Sequence, residues 1–221
     1  IKVTAASANS SSLIGFGLGS SDSVGIAGSA AVLRNEQLSM ASVVGSQLSA
    51  ADDVDVTSTI TSTSLMVAGG VVRGAATVLG AAVGTQIVSA DGTTGGSLAI
   101  IDSSVVTAGG DIGVSATSTF KLINVAVGVS VSSGGVGLSG SAAHSEIGGF
   151  TYAAVRNGSS ITADAISITA ADLSQIVTIA GSVAVGSSSG FGASVGIATI
   201  TSESEALLKD SKATARSGDI D

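Results

Sequence analysis

Apolar and small residues alternate along most of this chain, in runs separated by clusters of Ser, Gly, Asn and Asp. Ile166-Ser167-Ile168-Thr169-Ala170 has the period of a half-buried strand. After a polar connection at Asp172 and Ser174, Val177, Ile179, Val183 and Val185 alternate with Thr178, Ala180, Ser182, Ala184 and Gly186. A turn at Ser187-Ser188-Ser189-Gly190 leads into Phe191, Ala193, Val195 and Ile197, which alternate with Gly192, Ser194, Gly196 and Ala198. Two alternating runs joined by a Ser/Gly tip predict a β-hairpin. The stretch from Ile176 to Ile200 carries no charge and is long enough to span a bilayer as a helix, but its period of two and its Gly and Ser content favour strands.

The same pattern recurs. Ile1-Lys2-Val3-Thr4-Ala5, Val54-Asp55-Val56-Thr57-Ser58, Ile112-Gly113-Val114-Ser115-Ala116 and Ile166 to Ala170 are versions of one strand, and Ile220-Asp221 begins another. Starts at 1, 54, 112, 166 and 220 divide the chain into units 1–53, 54–111, 112–165 and 166–219, with 220–221 opening a further unit. The register predicts an array excised from a longer chain. A repeat at fixed period is the mark of a solenoid, in which each unit buries its apolar face against its neighbours. The hairpin reappears as Ile123 to Val131 with Val136 to Ala142, as Ile14 to Leu18 before Ser20-Ser21-Asp22, and more loosely around Arg73-Gly74. An insertion near residues 91–96 accounts for the longer second unit.

The predicted fold is all-β, a parallel β-helix-like solenoid of units of about 54 residues. Each unit carries a projecting Gly/Ala/Val-rich hairpin. Thirds of a unit do not resemble one another, whereas Gly158 to Ala163 matches Asp210 to Ala215 a full period later, so one wide turn per unit is favoured over three ordinary turns. Within the arms the Val/Ile/Phe face, Val127 and Val136 included, is expected inward and the small face outward; the reverse packing stays open.

Composition narrows the function classes. The chain has 31 Gly, no Pro, no Cys, no Trp and 11% charged residues, and its mean hydropathy is +0.62. Such a chain is not disordered, and absence of Pro suits backbone N–H groups used in ladders. A net charge of -8 disfavours nucleic acid and anionic membrane surfaces as partners. Lack of Cys excludes a disulfide scaffold or thiolate metal site.

The run Ser103 to Ala116, with Val105-Val106-Thr107-Ala108-Gly109-Gly110-Asp111 at its centre, and its echo Gly158 to Ala170 resemble coils of secreted bacterial β-helix adhesins. These are the filamentous-haemagglutinin-like exoproteins, often exported by two-partner secretion. The run Gly181-Ser182-Val183-Ala184-Val185-Gly186 through Gly192-Ala193-Ser194-Val195-Gly196 resembles repeats of the very large leukotoxin-like members. The resemblance implies a right-handed β-helical stalk, export across a Gram-negative envelope to the cell surface or medium, and a role in adhesion or matrix. Lack of Cys would suit an oxidising periplasm.

Candidate chemistry is sparse. His144, the single histidine, lies beside Glu146 without a second nitrogen or sulfur ligand. Asp53, Asp111 and Asp219 fall at one unit boundary, with Ala165 in the remaining copy, and Asp52, Asp53 and Asp55 are a local cluster. These five Asp are the candidates for calcium, although the tandem Gly-Gly-x-Gly-x-Asp repeat of calcium-binding β-rolls is absent; solvated corner residues are the simpler expectation. No acid pair with converging Lys or Arg marks an active site; Glu203 and Glu205 share a strand face and are expected to pair with Lys209. Thr57, Thr59, Thr61 and Thr63 alternate as a flat ice-binding face would require, with no other unit continuing the row. Asn9-Ser10-Ser11 and Asn157-Gly158-Ser159 match glycosylation sequons, the second better read as a turn.

These observations predict a non-catalytic stalk or fibre segment of a giant bacterial surface or secreted adhesin. It has no catalytic or cofactor residues, and its partners are neighbouring repeats or other copies end to end. Nucleic-acid binding and membrane insertion are not expected. The alternatives are a membrane-inserting β element of a toxin or barrel, and a self-assembling matrix filament.

Overall fold

The computed structural model describes residues 1–89 and 95–221, so residues 91–94 of the expected insertion lie outside it. The described chain is all-β and winds through four coils of parallel strands. The first coil is β1 (Lys2–Ser21), β2 (Gly25–Glu36), β3 (Leu38–Val44) and β4 (Gln47–Ala50). The second is β5 (Val54–Gly74), β6 (Val78–Ser89), β7 (Gly96–Asp102) and β8 (Val105–Ala108). The third is β9 (Ile112–Ser132), β10 (Val136–Gly148), β11 (Phe150–Arg156) and β12 (Ser160–Ala163). In the fourth, the long strand is split into β13 (Ile166–Asp172) and β14 (Gln175–Gly186), followed by β15 (Ser189–Ile200), β16 (Glu203–Leu208) and β17 (Lys212–Ala215).

Each strand pairs with its counterpart one coil away, giving four stacked sheets. The long sheet runs β1-β5-β9 with β13 and β14 both on β9, and the return sheet runs β2-β6-β10-β15. The third sheet is β3-β7-β11-β16 and the fourth β4-β8-β12-β17. Val54 pairs with Ile112, Ile112 with Ile166, and Ile166 with Ile220, while the Asp55 N–H donates to the Ile1 carbonyl. One coil of backbone therefore separates successive copies of the opening strand, and a winding of three turns between them is excluded.

The near half of the long sheet, with the third and fourth sheets, encloses a body filled by bulky side chains. Val54, Val56, Ile112, Val114 and Ile166 meet Val43, Ile101 and Val155 from the third sheet and Val106 and Ile161 from the fourth. Beyond the body, the long sheet and the return sheet continue together as a two-layer arm. The inward side chains shrink along it. Phe120, Leu122, Ile60 and Ile147 pack at its base, Met66 packs with Ala68, Ala82, Ala126 and Ala143 midway, and Gly and Ser dominate farther out.

Two expectations are corrected here. The arms are not hairpins: β9 and β10 belong to different sheets and bond to the coils above and below, not to each other. Their tip is an arch between layers. The packing is also reversed, because Asn124, Ala126, Gly128 and Ser130 are buried while Val125, Val127 and Val129 face out. The cause is parity. β9 runs 21 residues without a bulge, so the alternation that puts Ile112 and Val114 in the body must put Ala126 and Gly128 inside the arm.

Glycine permits that inversion. A Cβ on Gly128 would run into the Gly140 carbonyl across the arm, one on Gly80 into the Val129 carbonyl, and one on Gly70 into the Ala81 carbonyl. The facing backbones are in contact, closer than the ~10 Å of sheets separated by ordinary side chains. Ala126→Asp, which buries an unpaired charge, should cost about 3–5 kcal/mol. Gly128→Val should cost about 1–3 kcal/mol or more through overpacking, and Val127→Asp about 1 kcal/mol or less, as an outward position. Urea denaturation followed by circular dichroism checks this order; Val127→Asp as the most damaging change would reverse the assigned faces.

Candidate functional site

The polar features that recur from coil to coil lie at the two corners of the body. Between the third and fourth sheets each coil places one residue in the left-handed region: Gly45 (φ 56°), Ser103 (φ 50°), Asn157 (φ 57°) and Asp210 (φ 49°). Gly, Asn and Asp are the residues that tolerate this region, so the turn chemistry expected at Asn157 recurs at Gly45 and Asp210, while in the second coil a serine, Ser103, takes the position. The next polar position is a serine each time. The N–H of Ser46 donates to Ser104 Oγ (3.0 Å), that of Ser104 to Ser159 Oγ (3.1 Å), and that of Ser159 to Ser211 Oγ (3.2 Å). Each hydroxyl in turn donates to a carbonyl in its own coil, of Val44, Asp102, Arg156 and Lys209 respectively. This serine ladder was missed in the sequence. Its signal was there: a serine precedes the short fourth strand in every unit.

Asp102 anchors the same corner. It accepts hydrogen bonds from Ser103 Oγ (2.8 Å), Arg156 Nε (2.7 Å) and Asn157 Nδ2 (2.9 Å). The Ser103 hydroxyl, then the Arg156 guanidinium and the Asn157 amide, hold its carboxyl below the usual carboxylate range. Arg156 and Asn157 lie one coil beyond Asp102, so the ion pair joins adjacent coils.

At the other corner, Asp53, Asp55, Asp111, Asp219 and Asp221 line an open groove with Ile112, Ile166 and Gly218. The boundary Asp residues cap backbone. Asp53 Oδ1 accepts from the Asp111 N–H (2.9 Å), and Asp111 Oδ1 accepts from the Ala165 N–H (2.9 Å). Ala165 cannot continue the ladder. There Asp164 takes Arg216 Nε at 3.0 Å, and the Arg216 guanidinium also reaches the carbonyls of Ala108 and Gly109 two coils away. Of the five calcium candidates, Asp53 and Asp111 thus serve the backbone, and Asp219 is separated from Asp111 by the Ala165 coil. Among the described residues no group of three or more His, Cys, Asp or Glu comes together as a metal site.

The remaining candidates are scattered. His144 and Glu146 face outward from β10, paired with Thr85 and Ile87 on one side and Ile197 and Thr199 on the other. Glu203 and Glu205 stack beside Phe150 and Tyr152, and the expected pairing with Lys209 is not among the ion pairs of the described residues. The Phe150 and Tyr152 rings stack at 5.8 Å over the outer face of the third sheet. The threonine row does continue: Thr57, Thr59 and Thr61 pair with Ser115, Thr117 and Thr119. The sequence comparison missed this because Ser115 and Lys121 disguise the register. Asn9 of the first sequon donates to Asn35 Oδ1 at 3.2 Å.

Because the folded pKa of Asp102 is depressed, its contribution to stability is complete above the unfolded carboxylate value of about 3.9 and is lost as pH falls through the lower folded value. Asp102→Asn should therefore lower the melting temperature near neutrality and make it fall less steeply on acidification than in the parent. Parallel melting curves with equal acid slopes would show that the corner carboxylate is not the sensitive group. Comparison of the chain with family models, with curated proteins and with solved structures finds no match.

Proposed function

We propose that this chain is a non-catalytic stalk segment of a giant bacterial cell-surface or secreted adhesin. The observation that carries the reading is the in-register parallel pairing of all four sheets, coil upon coil. A stack of this kind transmits load along its axis through rows of backbone hydrogen bonds, and adding coils adds length without a new core. The serine ladder supports the reading further, since each coil's serine N–H donates to the serine hydroxyl of the next coil. Residue chemistry on the body serves these contacts between coils. Specific adhesion is assigned to parts of the molecule other than this segment, and a matrix filament without a receptor is the same mechanical device in another setting.

One observation favours the membrane-inserting alternative: the apolar faces of the arm point outward. Against it, an open sheet in lipid leaves edge N–H and C=O groups unsatisfied, which only closed barrels and helices avoid. Purified chain presents the free edges of its first and last coils, and exposed edges recruit further strands. It should assemble end to end into filaments with strands perpendicular to the long axis, without lipid and without calcium. Electron microscopy alongside a vesicle-leakage assay tests this. Leakage at low protein concentration, with only monomers in lipid-free buffer, would replace the stalk by the membrane-active reading.

A further inference from the structure

The outer face of the long sheet on the arm is a lattice of five columns by four coils in which Val, Ile, Leu and Phe predominate. The columns are Ser12/Leu65/Ile123/Val177, Ile14/Val67/Val125/Ile179, Phe16/Gly69/Val127/Gly181, Leu18/Val71/Val129/Val183 and Ser20/Arg73/Val131/Val185. Ile14, Phe16 and Leu18 are 60%, 64% and 80% exposed, and Ile179, Val183 and Val185 about half exposed. No element of the described chain covers them. We infer that this face is an interface with a second copy of the same chain, the two long sheets packing face to face with their coil axes antiparallel.

Self-complementarity argues for this occupant. A twofold axis along the strand direction, through the middle of the face, sets the first coil against the partner's fourth and the second against its third. Contacts of this isologous kind are reciprocal. In the central column Phe16 then lies opposite Gly181, and Gly69 opposite Val127. The Phe16 ring leans over the bare backbone of Gly69 and fills the gap there, so the first two coils present an even apolar surface at this column. Charges match as well. The outward charges of the long sheet are Lys2, Asp55, Arg73 and Lys121. In this orientation they oppose Ser167, Gly113, Val131 and Thr63, so no like charges meet although the chain carries a net charge of -8.

The size is adequate. Nine residues at ~3.3 Å and four coils at ~4.8 Å give a flat apolar area of roughly 570 Å² per copy, or about 1,100 Å² in the pair, at the lower limit of specific interfaces. The long sheet continues toward the body through Thr57, Thr59, Thr61, Thr117 and Thr119, whose hydroxyls extend the contact. A bilayer fits this face less well, because the sheet edges flanking it would be desolvated without partners.

Sedimentation analysis of the intact chain and two single variants tests the inference. The parent should be paired side by side at micromolar concentration, as dimers or as filaments of double width. Val127→Asp, at the centre of the face, should raise the dissociation constant by roughly 100-fold or more, while Ala142→Asp on the outer face of the return sheet should leave it unchanged. Since the chain has no native Cys, orientation is read from a bis-maleimide spanning about 10 Å. Leu18→Cys chains mixed with Val183→Cys chains should cross-link, and Leu18→Cys alone should not. A monomeric parent at high micromolar concentration, equal weakening by both Asp variants, or cross-linking of Leu18→Cys to itself would overturn the proposal. Vesicle leakage abolished by Val127→Asp would assign the face to lipid instead. End-to-end filaments of single width would sink this inference and leave the stalk reading intact; dimers without filaments would do the opposite.

Discussion

Everything about the arm follows from the parity of one unbroken strand. A β-strand shows alternate residues to alternate faces, and changing the pattern takes a bulge or a break. Residues 112 and 125 are an odd number apart, so Ile112 and Val125 cannot both face the interior of a regular β9. Burial of Ile112, Val114 and their neighbours in the body is worth roughly 1.5–3 kcal/mol per side chain, and that decides which parity wins. The arm inherits the choice. Even in the fourth coil, where Leu173 and Ser174 interrupt the strand, the break is two residues long and restores the same phase at Ile176 and Val177.

An arm with small residues inside holds together differently from the body. Its interior offers little apolar area, so contact between backbones and hydrogen bonding do more of the work. Asn124 shows how: its Nδ2 donates to the Gly84 carbonyl (3.2 Å), the His144 carbonyl (2.9 Å) and Ser145 Oγ (3.1 Å), tying two coils of the return sheet to the long sheet. Asn35 does the same for the first two coils by donating to Ser62 Oγ at 2.8 Å. A side chain larger than these amides would separate the layers, and one smaller would leave the facing backbones without a partner. Glycine at Gly70, Gly80 and Gly128 therefore belongs to the fold as much as valine does in the body.

The strands, their parallel stacking and the single-coil spacing were legible because period two and the spacing of like segments are direct images of backbone geometry. The inverted arm was not, because each alternating run was weighed by itself. Bulky-in is the better local solution for an isolated pair of runs, and only continuity with Ile112 and Val114 excludes it. The hairpin reading failed for a related reason. A Ser/Gly tip between two alternating runs specifies a reversal of direction, and an arch between layers reverses the chain as well as a hairpin does. At the corners, Asp53 and Asp111 were expected to be solvated or to hold calcium, whereas the structure turns them into acceptors for N–H groups one coil on. Such a role leaves no mark in the sequence beyond the recurrence itself.

Charge and apolar surface are segregated by the same winding. Most carboxylates sit at the corners of the body, on Asp52, Asp53, Asp55, Asp102, Asp111, Asp164, Asp210, Asp219 and Asp221, where tight turns use them as acceptors or leave them in water. The arm carries charge only near its base and tip, as at Arg34, Glu36, Lys121, Glu146, Asp22 and Arg73. At ~0.15 M salt, charges more than about 8 Å apart are largely screened, and a face up to about 30 Å long keeps its middle well beyond that from the acidic corners. Long-range repulsion between acidic chains therefore weakens just where the apolar lattice is widest. The body can stay soluble and mutually repelling while the arm remains the side on which close approach costs least.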